Sequence, residues 1–189
     1  MNKVKLKWFL LTVLSVSADI CNLVLAWPYS LFTANGWPSW GRWLQTYDNP
    51  PRGDGQWLKE GWFPGITTGF KGYLNRVGWI IRNSMYTLAK EVLGLSLPEE
   101  AVLSWDGNEN TSDKWAKPGF YRAVLTANHE VVGWEYYVVH PYKWWPTRCM
   151  RLRLGWKMMT KKFDKDNKAQ LVHSFNPWKS YGDNVNTKR

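Results

Sequence analysis

One stretch near the N-terminus constrains the fold more than any other feature. Residues 8–27 read WFLLTVLSVSADICNLVLAW, contain one charge, at Asp19, and follow a short segment with three lysines. At 1.5 Å per residue, a helix of this length covers about 30 Å, the thickness of the hydrocarbon core of a bilayer. The segment therefore predicts a transmembrane or membrane-embedded helix, with an anchor over residues 1–32.

Aromatic residues stand at both ends of this segment. Trp and Tyr are enriched where a membrane meets water, and basic residues commonly flank a span. Pro28 would end or kink the helix where it leaves the bilayer. The predicted anchor and belt residues are Trp8, Asp19, Trp27, Tyr29, Trp37, Trp40 and Trp43.

Two other readings of the segment stay open. A cleaved signal peptide would use Val16-Ser17-Ala18 as its small-residue cleavage site. A soluble core helix would explain Asp19, because a carboxylate at the centre of a bilayer costs about 3 kcal/mol on insertion scales. Ser15, Asp19 and Asn22 share one helical face, which favours a helix–helix contact, including one between two copies of the chain.

The orientation of the anchor is left open. The N-terminal lysines favour a cytoplasmic N-terminus and one span. The rest of the chain is itself basic, with a formal net charge of +10 for the whole sequence. A re-entrant hairpin would instead keep both ends in the cytoplasm.

Gly and Pro punctuate residues 33–69, which predicts a Trp-rich irregular connector. Residues 70–94 carry apolar side chains at spacings of three and four, which predicts one amphipathic helix. We expect this helix to pack on a sheet, the alternative being the membrane interface. With the strands that follow, it would form an α+β domain over residues 70–182, before a polar tail at 183–189.

The second half of the chain has the pattern of β structure. Phe120–Thr126 and Val131–His140 flank a polar turn and predict a hairpin. Met150–Lys157 alternates apolar and basic residues, and Gln170–Phe175 is the last predicted strand. An antiparallel sheet of about four strands follows. Cys149 lies in one of these strands and Cys21 in the apolar segment, so no disulfide is predicted between them.

No motif indicates catalysis, a metal or a cofactor. The three histidines lack metal-ligand spacing, and the sequence contains no phosphate-binding glycine loop and no nucleophile elbow. A glycan-acting enzyme would need two facing carboxylates, for which Asp106, Glu109, Asp113 and Glu135 are the available acids. The favoured interpretation is a non-enzymatic protein without a cofactor.

A basic strand beside tryptophans is the strongest surface feature. Alternating Arg residues on one sheet face could bind anionic lipid headgroups or an acidic protein partner, and nucleic acid is the less favoured ligand. The alternative is an ordinary solvated sheet face. The predicted basic and aromatic surface consists of Lys143, Trp144, Trp145, Arg148, Arg151, Arg153 and Lys157.

Several segments resemble an uncharacterised family of small membrane-anchored proteins of tailed bacteriophages. They are Lys7–Asn22, Trp43–Gly55, Tyr73–Tyr86, Leu154–Lys157 and Phe175–Gly182. The resemblance implies a viral product in the inner membrane of a bacterial host, and it carries no known activity. We expect a protein that binds a host or viral partner there; the alternatives are a structural virion component that acts in genome delivery and an enzyme that acts on cell-envelope glycans or lipids.

Overall fold

The computed structural model describes residues 3–44, 49–83, 85–158 and 168–182. The predicted tail at 183–189 lies outside these ranges. The chain divides into two compact units, one formed by Met1–Thr12 with Gly94–Arg189 and the other by Val13–Leu93. The α+β class predicted from the sequence is confirmed.

The unit of residues 13–93 is helical. It contains most of α1 (Lys3–Leu31), a short 3-10 helix (Ser39–Leu44), α2 (Gly55–Glu60), α3 (Gly69–Arg82) and α4 (Tyr86–Glu91). Its core joins Ala26 and Tyr29 of α1 to Val77 and Ile80 of α3. The amphipathic helix therefore buries its apolar side against α1, where the sequence pointed to the sheet.

The predicted helix over residues 70–94 is two helices. Helix α3 ends at Arg82, and the side-chain amide of the next residue, Asn83, donates to the carbonyl of Trp79. Met85 has a left-handed backbone (φ 53°), and α4 begins after it. Apolar periodicity continues through this break, which is why the pattern alone did not separate the two helices.

The connector contains more structure than expected. The 3-10 helix and α2 lie within it, and Asp54 accepts a hydrogen bond from the backbone N–H of Trp57 at the start of α2. The loop between α2 and α3 is bound by Asn75 of α3. The side-chain amide of Asn75 donates to the carbonyls of Phe63 and Ile66, and its side-chain oxygen accepts from the N–H of Phe63. The tryptophan-rich connector is thus packed on a helix of its own unit.

The unit formed by Met1–Thr12 with Gly94–Arg189 contains the sheet. Its strands are β1 (Leu95–Ser96), β2 (Val102–Gly107), β3 (Gly119–Ala127), β4 (Glu130–Pro141), β5 (Arg148–Trp156), β6 (Lys168–Ala169) and β7 (Leu171–Ser180). Five of them form an antiparallel sheet in the order β2-β3-β4-β5-β7, and β1 pairs with β6.

The sheet has five strands where the sequence predicted about four. The additional strand, β2, has mostly exposed side chains, and a short exposed edge strand leaves little apolar alternation in a sequence. The predicted hairpin between β3 and β4 is confirmed. Its turn residues Asn128 and His129 both have positive φ, as in the two-residue turns that match the twist of a hairpin.

Candidate functional site: an apolar helix surface and a tryptophan-rich hairpin

Helix α1 buries its polar side. Its buried residues are Ser15, Asn22, Ala26, Tyr29 and Ser30. The amide Nδ2 of Asn22 donates to the carbonyl oxygen of Ile80 on α3, 3.3 Å away, and Asp19 is half-buried. The predicted helix–helix contact through this polar face is therefore present, and it forms within one chain.

The apolar side of α1 is exposed. Its exposed large side chains include Phe9, Leu10, Val13, Leu14, Ile20, Leu23, Val24 and Leu31. Soluble monomers rarely expose so continuous an apolar surface. Among the described residues, α1 is the one helix long and apolar enough to cross a membrane, and 17% of its most apolar stretch is buried, whereas the core helix of a soluble protein is mostly buried.

The predicted belt residues divide into two groups. Tyr29 is buried, with Trp37 stacked at 6.2 Å and Trp40 edge-on at 5.2 Å between ring centroids. The indole N–H of Trp37 donates to the carbonyl of Asn49. Trp27, Trp40 and Trp43 are exposed. The predicted belt residues at this end of α1 thus include both buried and exposed side chains.

Trp8, at the other end of the apolar segment, lies on the sheet of its own unit. Its ring centroid is 5.1 Å from that of Trp134 on β4, in an edge-to-face arrangement. Its indole N–H donates to the carbonyl of Val172 on β7. Two independent contacts therefore fix the first turns of α1 against this face of the sheet.

The basic face predicted on β5 is wrong for Arg151 and Arg153. Arg153 donates from Nε to Oε1 of Glu135, 2.6 Å away, and Arg151 lies 3.4 Å from Oδ2 of Asp113. The side chain of Glu135 is fully buried and that of Arg153 is 15% exposed. Apolar and basic side chains do alternate along β5, as predicted. The side that carries Arg151 and Arg153 faces inward, because Asp113 and Glu135 pair with these arginines there.

Two tyrosines complete this buried network. The hydroxyl of Tyr121 donates to Oε1 of Glu135 at 2.8 Å, and that of Tyr137 donates to Oδ1 of Asp113 at 2.7 Å. Burial raises the pKa of both phenols well above the ordinary value. Burial alone would lower the pKa of Arg153, but attraction by Glu135 offsets this and holds it above its ordinary value. The network is a structural element of the core.

The β4–β5 hairpin carries the exposed part of the predicted surface. Trp144 is 85% exposed and Trp145 is 53% exposed. Trp145 packs edge-on against Trp178 of β7 at 5.2 Å, and the guanidinium of Arg148 lies 5.9 Å from the centre of the Trp178 ring. Trp178 was not selected from the sequence, because the last predicted strand ended at Phe175 whereas β7 continues to Ser180.

Lys143 is exposed at the hairpin, beside these tryptophans. Lys179, in contrast, is the direct cross-strand neighbour of the buried Cys149 and therefore points to the other face of the sheet from Trp178. Residues 141–149 and 175–182 contain no Asp or Glu. Lys157, at the far end of β5, donates to Oε1 of Gln170 and lies away from this hairpin in the strand register. We define the hairpin surface as Tyr142, Lys143, Trp144, Trp145, Arg148 and Trp178.

The described residues contain no group of three His, Cys, Asp or Glu that could hold a metal ion. Of the four acids considered for catalysis, Asp113 and Glu135 form ion pairs with arginines. Cys21 and Cys149 are both free thiols, the first exposed and the second buried, which agrees with the prediction that they do not pair. Burial raises the pKa of Cys149 to about 11.

Comparisons with known proteins give one result. Neither the curated proteins nor the solved structures contain a match to the chain. The sequence model of one family, described as a family of unknown function (DUF7338), matches residues 1–183. Since the match covers almost all of the 189 residues, the chain belongs to this family of unknown function.

Proposed function

We propose that this protein is a non-enzymatic membrane protein, anchored by α1, that presents its hairpin surface to an anionic partner. The observation that carries the anchor is the inverted amphipathicity of α1. A helix in water buries its apolar side and exposes its polar side. Helix α1 does the opposite, because Asn22 bonds to α3 while Ile20 and Val24 are exposed. Lipid is the solvent in which this arrangement is stable.

The hairpin surface supports the second part of the proposal. Exposed Trp and Arg residues are enriched in protein interfaces, where large rigid side chains anchor a partner. The cations Lys143 and Arg148 favour a partner of negative charge. The resemblance to phage proteins makes the inner membrane of a bacterial host the proposed location and a host or viral protein the proposed partner.

A single charge tests the anchor. Ile20 is 60% exposed, so in water Ile20→Lys would change stability by no more than about 0.5 kcal/mol. At the centre of a bilayer the same change costs about 3 kcal/mol. We expect the full chain to stay in the membrane pellet after carbonate washing, and Ile20→Lys to shift it toward the soluble or degraded fraction.

Ile20→Leu is the matched control, since it keeps the volume and the apolar character. Both variants should accumulate equally if α1 lies in water. An unaltered chain that carbonate releases, or an Ile20→Lys variant that fractionates as the control does, would remove the anchor from the proposal.

Site-specific photo-crosslinking tests the partner surface in the host. A benzophenone residue in place of Trp144 should give a discrete adduct, because this side chain is the most exposed of the cluster. The same residue in place of Trp115, which is also exposed, serves as the control. Adducts of the same mass at both positions, or at neither, would contradict a partner site on the hairpin.

A further inference from the structure

A slot of about 570 Å³ lies beside the first turns of α1, within the unit that also holds the sheet. Its volume is in the range of sites that bind small molecules. The apolar part of its lining comes from Trp8, Phe9, Val124, Trp134 and Tyr136. Such a lining suits a hydrocarbon chain.

The walls of the slot are held in place. Trp8 is fixed by its ring contact with Trp134 and by its hydrogen bond to Val172. Val124 and Trp134 are direct cross-strand partners on β3 and β4. Phe9 is half exposed, so the slot is open beside this side chain. A chain that enters the slot would therefore also contact Phe9, an apolar residue of the first turns of α1.

Lys5 and Arg122 are the cations of the lining, which also includes Ala123 and Glu135. The guanidinium of Arg122 lies 5.9 Å from the ring centres of both Phe120 and Tyr136, which places it over the aromatic surface. The carboxylate of Glu135 points to the opposite face of the sheet, where it binds Arg153. Asp106 on β2 is the direct cross-strand partner of Arg122 on β3. It is the acid that the neighbouring strand places beside this cation.

We propose that this slot binds an anionic phospholipid, with one acyl chain between Trp8 and Trp134 and the phosphate between Lys5 and Arg122. The inference rests on the proposed membrane anchor and names a lipid that it would select. Lys5 lies about one helical turn before Trp8, at which the apolar segment begins. A phosphate at Lys5 would thus lie at headgroup depth, beside the start of the proposed anchor.

The test is native mass spectrometry of the full chain in detergent, titrated with dioleoyl phosphatidylglycerol or dioleoyl phosphatidylcholine. We expect tighter binding of phosphatidylglycerol. The double variant Lys5→Gln/Arg122→Gln should weaken it by about fivefold for each charge removed and leave phosphatidylcholine unchanged. Both cations are exposed, so these substitutions leave the core intact. Val124→Phe, which narrows the slot, should weaken both lipids.

The matched control is Lys3→Gln/Lys117→Gln, which removes the same charge outside the slot. An equal loss of phosphatidylglycerol in this control, or equal affinities of the two lipids for the unaltered chain, would overturn the inference. Carbonate washing of membranes from cells that produce the same chains tests the anchor separately. A chain that stays in the membrane without lipid preference refutes the slot alone, whereas one that washes off yet prefers phosphatidylglycerol supports the slot and refutes the anchor.

Discussion

Arg153 Nε lies 2.6 Å from Glu135 Oε1, across one pair of neighbouring strands and inside the sheet-containing unit. Tyr121 and the backbone N–H of Met158 donate to the same carboxylate. Every oxygen of Glu135 thus has a donor. Because a buried charge is stable only when it is paired and hydrogen-bonded, this arrangement ties β3, β4 and β5 to one register.

Removing one member of the pair should destabilise the fold strongly. We expect Arg153→Met to lower the free energy of unfolding by about 3–5 kcal/mol, because it leaves Glu135 charged and unpaired in the interior. Arg151→Met should cost less, since Arg151 is more exposed and its contact with Asp113 is longer, at 3.4 Å. Thermal unfolding of the purified chain in detergent measures both. The double variant Glu135→Leu/Arg153→Met should cost less than the sum of its single changes, and strict additivity would contradict the pair.

Alkaline pH should also destabilise the protein. The pKa values of Tyr121 and Tyr137 in the folded state lie above the ordinary 10.0, and that of Cys149 is raised from 9.0 to about 11. Above these ordinary values the unfolded chain releases protons that the folded chain retains. Stability is therefore full below about pH 9 and falls as the pH rises, more steeply above pH 10.

Unfolding midpoints at pH 8, 9, 10 and 11 test this dependence. Cys149→Ala should flatten the profile between pH 9 and 11, and Tyr121→Phe should flatten it above pH 10 while lowering stability at neutral pH through the lost hydrogen bond. A midpoint that stays constant from pH 8 to pH 11 would show that these groups titrate alike in both states.

Gly155 should tolerate no side chain. Its φ is +99°, and a Cβ atom there would lie 2.2 Å from the backbone oxygen of Trp134. We expect Gly155→Ala to cost more than about 2 kcal/mol, from the left-handed backbone together with a clash that no side-chain rotation relieves. Gly55→Ala is the control: nothing lies near its Cβ position, and Ala is the better residue in a helix. Equal unfolding temperatures for the two variants would contradict the strained backbone at Gly155.

Asn75 should matter more than its neighbour at the end of α3. Its side chain makes three hydrogen bonds to the loop that contains Phe63 and Ile66, and it is buried. At about 1 kcal/mol for each bond, Asn75→Ala should lower the unfolding free energy by about 3 kcal/mol. Asn83→Ala removes one bond of 3.3 Å and should cost about 1 kcal/mol or less. Limited proteolysis should then cut the Asn75→Ala variant near residues 61–67 and spare the Asn83→Ala variant.

The sequence by itself determined the type and approximate place of most elements. The length and apolar run of residues 8–27 were enough for one long helix, because helix rise and hydrophobic burial are local properties. Alternation along β3, β4 and β5 was enough for antiparallel strands, because side chains on a strand point to opposite faces in turn. The polar stripe through Ser15 and Asn22 was enough to indicate a helix–helix contact.

Only the tertiary structure decided what packs against each face of a helix or strand. Arg153 and Glu135 are 18 residues apart, and Arg151 and Asp113 are 38 apart, so only the strand register and the loop before β3 could reveal that the basic face is internal. In the same way, Asn22 meets Ile80 across 58 residues. Periodicity tells which residues share a face, but the solvent or partner of that face depends on long-range packing, which a local pattern does not contain.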